Sequence, residues 1–128
     1  MEKKIYYWIE LSDYDMGTAE ALLESGRYLY VGFMSHQAIE KILKAYFVSI
    51  VHKVAPYSHS LSLLANKSGI SDLLSEEQKD FIDMLEPLNI ETRYPTHKEQ
   101  LLKSLTKNRC TEILKKTRIL QKWIKEKL

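Results

Sequence analysis

Residues 38–50 read Ala-Ile-Glu-Lys-Ile-Leu-Lys-Ala-Tyr-Phe-Val-Ser-Ile, with apolar side chains three and four positions apart. Side chains at this spacing lie on one face of an α-helix. The pattern predicts a long helix from about Tyr30 to Lys53. Pro56 is expected to end it, because proline lacks a backbone N–H and restricts the residue before it. The apolar stripe comprises Ala38, Ile39, Ile42, Leu43, Tyr46, Phe47 and Ile50.

Helical patterns also occupy the sequence on both sides of this stretch. Gly26 and Gly69 are placed to stop two of the helices, since glycine enters the left-handed conformation cheaply. The further helices are predicted at about Ile5–Ser25, at about Ser60–Lys67, after a capping box at Ser75–Gln78, and from about His97 to the C-terminus. The sequence therefore predicts an all-α fold, an antiparallel up-down bundle of about five helices.

Length and composition set the class of protein. With 128 residues, 45% of them hydrophobic, the chain is expected to form a single domain over residues 1–128. Cys110 is the only cysteine, which excludes a disulfide within the chain and a zinc site built from cysteines. No stretch approaches the length of apolar sequence that a membrane span needs, and acidic residues interrupt the N-terminal apolar run. We expect a cytoplasmic protein without a membrane partner.

Charge is distributed unevenly along the chain. Residues 97–128 carry 10 basic and 3 acidic side chains, whereas residues 76–91 hold six acidic side chains and one lysine. Such a division is typical of a surface that binds polyanions, or of an acidic helix that lies beside a basic one. Both interpretations stay open. The basic positions include a stripe at Lys115, Arg118, Lys122 and Lys125.

The sequence lacks the motifs of several metal-binding and phosphate-binding proteins. No glutamate has a histidine three residues later, as helical di-iron proteins require, and the chain has no His-Glu-x-x-His motif or glycine-rich phosphate loop. We therefore expect no metal and no cofactor.

Two groups of polar residues are candidates for a binding site. In the first, Lys41 and Lys44 lie beside the apolar face of the second helix, with His36 one or two turns earlier. They could neutralise a phosphate, or form a solvated face in which Glu40 and Lys44 pair. His59 opens the third helix, where a histidine acts as a local hydrogen-bonding cap or as a ligand-binding group.

The second group is Arg93-Tyr94-Pro95-Thr96-His97. Pro95 favours an extended Tyr94, and Thr96 to Glu99 is a capping box that starts a helix directly afterwards. A guanidinium and a phenol beside free backbone N–H groups would favour an anion. In the alternative interpretation, Arg93 and Tyr94 pin a turn to the bundle.

Taken together, these residues resemble the HEPN domain, a family of small helical bundles of bacteria and archaea. The resemblance covers nearly the whole chain. It rests on a set from Asp13 to Tyr28, on residues 33–45, on His59-Ser60-Leu61, and on Thr92-Arg93-Tyr94-Pro95.

The resemblance implies a helical bundle, usually a homodimer, that is often encoded beside or fused to a minimal nucleotidyltransferase. It also implies nucleotide binding, here by Arg93, Tyr94, Lys41, Lys44, His36 and His59. Many relatives are ribonucleases that carry an arginine and a histidine with four to six residues between them. Here three residues separate Arg93 from His97, and Pro95 is one of them.

Three hypotheses follow from the sequence. The first is a module of a toxin–antitoxin-like system that binds a nucleotide or a minimal nucleotidyltransferase, without strong catalysis of its own. The second is a metal-independent ribonuclease in which Arg93 stabilises phosphate charge and His97 transfers protons. The third is a purely structural interaction bundle.

Overall fold

The computed structural model describes residues 2–91, 99–100 and 103–128, and within them all regular structure is helical. Five α-helices of eight or more residues lie in this part of the chain, together with a 3-10 turn at Ile70–Leu73 and a single turn of helix at Leu88–Glu91 (α5). The long helices are α1 (Glu2–Glu24), α2 (Leu29–Val51), α3 (Leu61–Ser68), α4 (Glu76–Leu85) and α6 (Lys107–Lys125). The predicted all-α class is confirmed, while the antiparallel arrangement stays a prediction.

Helix α2 is the centre of the bundle. Most of its residues are buried, and α1, α3, α4, α5 and α6 all contact it. Ile39, Ile42, Leu43 and Tyr46 of its stripe pack into one main core with apolar residues of α3, α4 and α6. Ala38 and Phe47 belong to two smaller buried clusters. Ile39, Ile42 and Leu43 are fully inaccessible to solvent. Ile50, at the end of the predicted stripe, is half exposed.

Helix ends follow the local signals in the sequence. The side chain of Ser60 accepts the N–H of Leu63, and Ser75 and Gln78 form the predicted capping box. Gly26 and Gly69 have φ of 78° and 85°, as their predicted roles require. The end of α2 differs from the prediction. His52 adopts the left-handed conformation, with φ 60°, so the helix stops well before Pro56.

The predicted continuous helix from His97 to the C-terminus is wrong in one respect. Residues 103–104 are helical, but Leu105 and Thr106 are not, and α6 begins anew at Lys107. Thr106 is the N-cap of α6, because its hydroxyl accepts the N–H of Arg109, while Leu105 is buried. The capping box at Thr96–Glu99 falls largely outside the described residues.

Helix α6 buries one face in the core. Cys110, Ile113, Leu114, Leu120 and Ile124 are buried, whereas Leu128 is exposed. Burial raises the pKa of the Cys110 thiol to about 11, and its sulfur donates to the carbonyl of Tyr28 at 3.5 Å. This cysteine therefore behaves as a small apolar core residue.

One buried serine joins the first, second and last helices. Ser12 Oγ of α1 donates to the carbonyl of Ala38 on α2 at 2.6 Å and accepts from Gln121 Nε2 of α6 at 2.8 Å. Both side chains are buried, so each hydrogen bond satisfies a group that would be costly to leave unpaired. This contact fixes the register of the three long helices.

Candidate functional site

A group of ionisable side chains lies where α2 meets α3 and α4, and His36, Glu40 and Lys44 in it are buried. The central residue is Glu40 of α2, whose side chain is 1% exposed. Its Oε1 lies 2.9 Å from Nδ1 of His59, and its Oε2 accepts from Nζ of Lys44 at 3.2 Å. The acid–histidine cluster comprises Glu40, Lys44 and His59, together with His36 and Glu86.

Lys44 is held on two sides. Its ammonium pairs with Glu40 one turn earlier on α2 and lies 5.1 Å from the centre of the Trp8 ring of α1. A cation over an aromatic face is favourable, and a buried charge needs such partners. The predicted pairing of Glu40 with Lys44 is confirmed. The interpretation of a solvated face is wrong for both residues, because both are buried.

His59 is the accessible member of the cluster, with 58% of its side chain exposed. A carboxylate only accepts hydrogen bonds, so Nδ1 of His59 is assigned the N–H that donates to Glu40. Nε2 is then the ring nitrogen that can exchange a proton with a ligand. A buried carboxylate that orients an imidazole in this way prepares it for proton transfer or for contact with an anion.

His36 lies behind this pair and is completely buried. Its Nε2 is 3.6 Å from Oε2 of Glu86, which is too long for a hydrogen bond, and neither ring nitrogen has a hydrogen-bond partner among the described residues. Burial lowers the pKa of His36, and the nearby carboxylates of Glu40 and Glu86 oppose that shift. The buried hydroxyl of Ser35 also has no partner within the described part of the chain.

Glu86 connects the cluster to the start of α3. Its Oε1 accepts from the backbone N–H of Ser62 at 2.8 Å and from the hydroxyl of Ser60 at 3.3 Å. A carboxylate is favourable at the N-terminus of a helix, where backbone N–H groups lack partners within the helix. Glu86 therefore fixes the short segment that carries His59.

A second polar group lies on a neighbouring face of α2. Nζ of Lys41 is 3.3 Å from Asp15 of α1 and donates to Oε1 of Gln37 at 2.9 Å. Nε2 of Gln37 in turn donates to Oδ1 of Asn89 in α5 at 3.0 Å. This chain of contacts ties α5 to α2, and Arg93 follows Asn89 by four residues in the sequence. Burial raises the pKa of Asp15, against the effect of Lys41.

The predicted binding residues therefore fall into three classes. Lys41 and Lys44 are already paired with carboxylates, and His36 is closed off from solvent, so these three are not free cations. His59 is exposed and oriented. Arg93, Tyr94 and His97 lie outside the described residues.

The basic stripe of the last helix is partly occupied by ion pairs. Arg118 pairs with Glu20 of α1, and Nζ of Lys125 is 2.7 Å from Asp13 of the same helix. Lys115 and Lys122 are exposed. Half of this stripe therefore stabilises the contact between α6 and α1.

Sequence reasoning missed Glu40, Glu86, Asp15 and Trp8 as parts of the site. One signal for Glu40 was present, because His36, Glu40 and Lys44 recur at intervals of four on the most apolar helix. Residues at that spacing are neighbours on one helical face. For Glu86, Asp15 and Trp8 the contacts with α2 come from tertiary packing, and the sequence holds no comparable local signal.

Comparison with known proteins identifies the family of the chain. The sequence model of the HEPN domain matches residues 5–128. The chain belongs to the HEPN domain family. A search of curated protein sequences finds no match.

Among solved structures, the HEPN chain is similar to the protein TT1696 from Thermus thermophilus. The TM-score is 0.79 and the sequence identity is 22%, and the alignment covers 98% of each chain. The likeness supports the helical fold. Within the described residues, no helix is long and apolar enough to cross a bilayer, and no three metal-binding side chains are grouped to hold an ion.

Proposed function

We propose that this HEPN module binds a nucleotide at the exposed edge of the acid–histidine cluster and acts with a separate minimal nucleotidyltransferase. The observation that carries the proposal is His59, an exposed imidazole held through Nδ1 by the buried carboxylate of Glu40. When protonated, such a ring donates from Nε2 to a phosphate oxygen. Its orientation is set before the ligand arrives, which reduces the entropy lost on binding.

The cluster needs an additional cation to hold a phosphate. Glu40 and Glu86 bring two negative charges, and Lys44 contributes one positive charge that Glu40 already engages. We therefore assign the main phosphate contact to Arg93, whose guanidinium can bind two phosphate oxygens at once. Tyr94 is assigned to the base or the sugar. Lys41, Lys44 and His36 then act behind the ligand, by holding Asp15 and the cluster carboxylates in place.

The nucleotidyltransferase partner follows from the chemistry that this chain would need to use a nucleotide. Polymerase-type nucleotidyl transfer uses metal ions held by carboxylates, and the described residues include no group of three metal-binding side chains. The association with minimal nucleotidyltransferases that the family resemblance implies would supply them. In this proposal the HEPN module contributes binding, and its partner contributes catalysis.

Titration calorimetry with a panel of nucleoside mono-, di- and triphosphates tests the binding. We expect Arg93→Ala and His59→Gln each to weaken the affinity about tenfold, equivalent to ~1.4 kcal/mol. The matched control is His52→Asn, another exposed histidine, at a left-handed position that asparagine tolerates. Arg93→Ala should change the free energy of unfolding by less than about 1 kcal/mol. Absence of binding by the unchanged protein at millimolar nucleotide would refute the proposal.

The contact between Glu40 and His59 also supports a second candidate function. A histidine oriented by a carboxylate is a general acid or base, so a metal-independent ribonuclease remains an alternative, with Arg93 on the phosphate and His97 as a further proton-transfer group. Incubation of RNA with the protein in excess EDTA distinguishes the two. Cleavage that His59→Gln or His97→Gln abolishes, and His52→Asn does not, would favour the ribonuclease.

A further inference from the structure

The loop between α2 and α3 presents one aromatic side chain entirely to solvent. Tyr57 is fully exposed, and its side chain makes no hydrogen bond or ring contact within the described residues. The other exposed tyrosines of the described chain lie on α1 or α2 and are 48–74% exposed, so each of them is partly covered. The ring of Tyr57 therefore contributes nothing to the packing of the bundle.

The backbone on both sides of Tyr57 is fixed. Ala55 is buried in a small apolar cluster at the end of α2, and the ring of Pro56 restricts its own φ. The N–H of Ser58 donates to the carbonyl of Pro56 at 2.9 Å, which makes Tyr57 the central residue of a γ-turn. The N–H of Ser60 then donates to the hydroxyl of Ser58 at 3.0 Å. The exposed ring thus lies on a loop whose conformation is set before a ligand arrives, which reduces the entropy lost on binding.

His59, the exposed member of the acid–histidine cluster, follows Tyr57 by two residues. Two residues of chain span at most about 7 Å, so a ligand whose phosphate contacts the imidazole lies close to the phenol ring. Residues 52–59 include no acidic side chain, and Lys53 among them is exposed. Positive charge for phosphates beside an exposed aromatic ring for bases is the combination with which proteins hold single-stranded nucleotides.

We infer that Tyr57 stacks on the base of the nucleotide whose phosphate His59 contacts. The stacking rests on the nucleotide binding proposed above and assigns the base to a particular residue, which leaves the sugar to Tyr94. Every nucleobase has a π-face, so an aromatic side chain gains affinity from any of them. Tyr57 should therefore strengthen the binding of nucleotides and have no effect on a phosphate ligand that lacks a base.

Titration calorimetry with ATP and with inorganic tripolyphosphate separates the base from the phosphates. Tyr57→Ala should weaken the affinity for ATP about tenfold and leave the affinity for tripolyphosphate within about twofold of that of the unchanged protein. Tyr57→Phe, which keeps an aromatic ring, should bind ATP as the unchanged protein does. His59→Gln should weaken the binding of both ligands, because both carry the phosphate that His59 contacts.

Two controls separate the loss of stacking from damage to the fold. Tyr14→Ala removes another exposed tyrosine, in the interior of α1 and outside the loop, and should leave the affinity for ATP unchanged. The thermal midpoint of Tyr57→Ala should equal that of the unchanged protein, because the ring packs against no other side chain.

Three results would overturn the stacking, and they separate it from the proposed function. If Tyr57→Ala binds ATP as tightly as the unchanged protein, the stacking is wrong while nucleotide binding stands. If Tyr57→Ala loses affinity for ATP and tripolyphosphate equally, Tyr57 supports the loop and does not contact the base. If the unchanged protein binds neither ligand at millimolar concentration, the proposed function fails and the stacking fails with it.

Discussion

At the scale of single residues, the centre of the candidate site is a buried carboxylate with two partners. Glu40 accepts from Lys44 and from His59, so its charge is compensated although it is closed off from solvent. Removal of one partner from a buried ionic group leaves an uncompensated charge and costs several kcal/mol. The same arrangement holds the His59 ring in place, which links the stability of the cluster to its proposed function.

His36 should make the stability of the protein depend on pH. Burial lowers its pKa below the ordinary value of 6.5, so between the lowered pKa and 6.5 the unfolded chain binds more protons than the folded one. The free energy of unfolding should therefore fall as the pH drops below 6.5. Glu40, Glu86 and His59 surround the ring, and burial raises the pKa of Asp15 above its ordinary value of 3.8.

Urea unfolding between neutral pH and about pH 5 measures this dependence. In His36→Gln the slope of unfolding free energy against pH should be smaller, because the group that titrates is gone. His52→Asn, which removes an exposed histidine, should keep the slope of the unchanged protein. Equal slopes in all three proteins would show that His36 is not the group responsible.

At the scale of helices, local signals allowed most of the fold to be predicted. Ser60, Ser75, Gly26 and Gly69 each act within a few residues, so their roles can be inferred without knowledge of the tertiary structure. The break at Leu105–Thr106 was missed because the apolar spacing continues across it. Thr106 is an N-cap, but its cap bond to Arg109 competes with helix continuation only once Leu105 is anchored in the core.

Part of the candidate site could also be predicted, because some of its contacts are local in the sequence. The pairing of Glu40 with Lys44 is local and could be inferred from their spacing of four. The contact of Glu40 with His59 spans 19 residues, and His36 of α2 faces Glu86, the residue that follows α4. Such contacts depend on how α3 and α4 pack on α2, which the spacing of apolar residues does not specify.

Gly17 offers a test of helix propensity in α1. It is exposed in the interior of the helix, and a Cβ placed there would meet no atom within 4 Å. Gly17→Ala should therefore raise the free energy of unfolding by roughly 0.5–1 kcal/mol, since glycine loses more backbone entropy than alanine on folding. Thermal or urea unfolding measures the change.

Gly69→Ala is the contrasting substitution. Its surroundings are equally open, but its φ of 85° is strained for any residue with a Cβ. This variant should be less stable than the unchanged protein. Equal effects of the two substitutions would mean that backbone conformation does not decide the outcome.

At the scale of the whole molecule, the first and last helices close the bundle around α2. Gln121 of α6 donates to Ser12 across 109 residues of sequence, and Arg118 and Lys125 pair with acidic residues of α1. Trp8 and Trp123 lie on these two helices and pack against the same main core. Loss of either helix would expose the core face of α2, so all the helices should unfold together.

The fluorescence of the two tryptophans tests whether the helices unfold together. Trp8→Phe leaves Trp123 as the fluorescent reporter of α6, and Trp123→Phe leaves Trp8 as the reporter of α1. Within each variant, the urea midpoint by fluorescence should equal the midpoint by far-UV circular dichroism, which follows all helices at once. Comparison within one variant removes the effect of the substitution on stability. If α6 unfolded separately, the fluorescence of Trp123 would change at lower urea than the dichroism, and the expectation of one domain over residues 1–128 would be wrong.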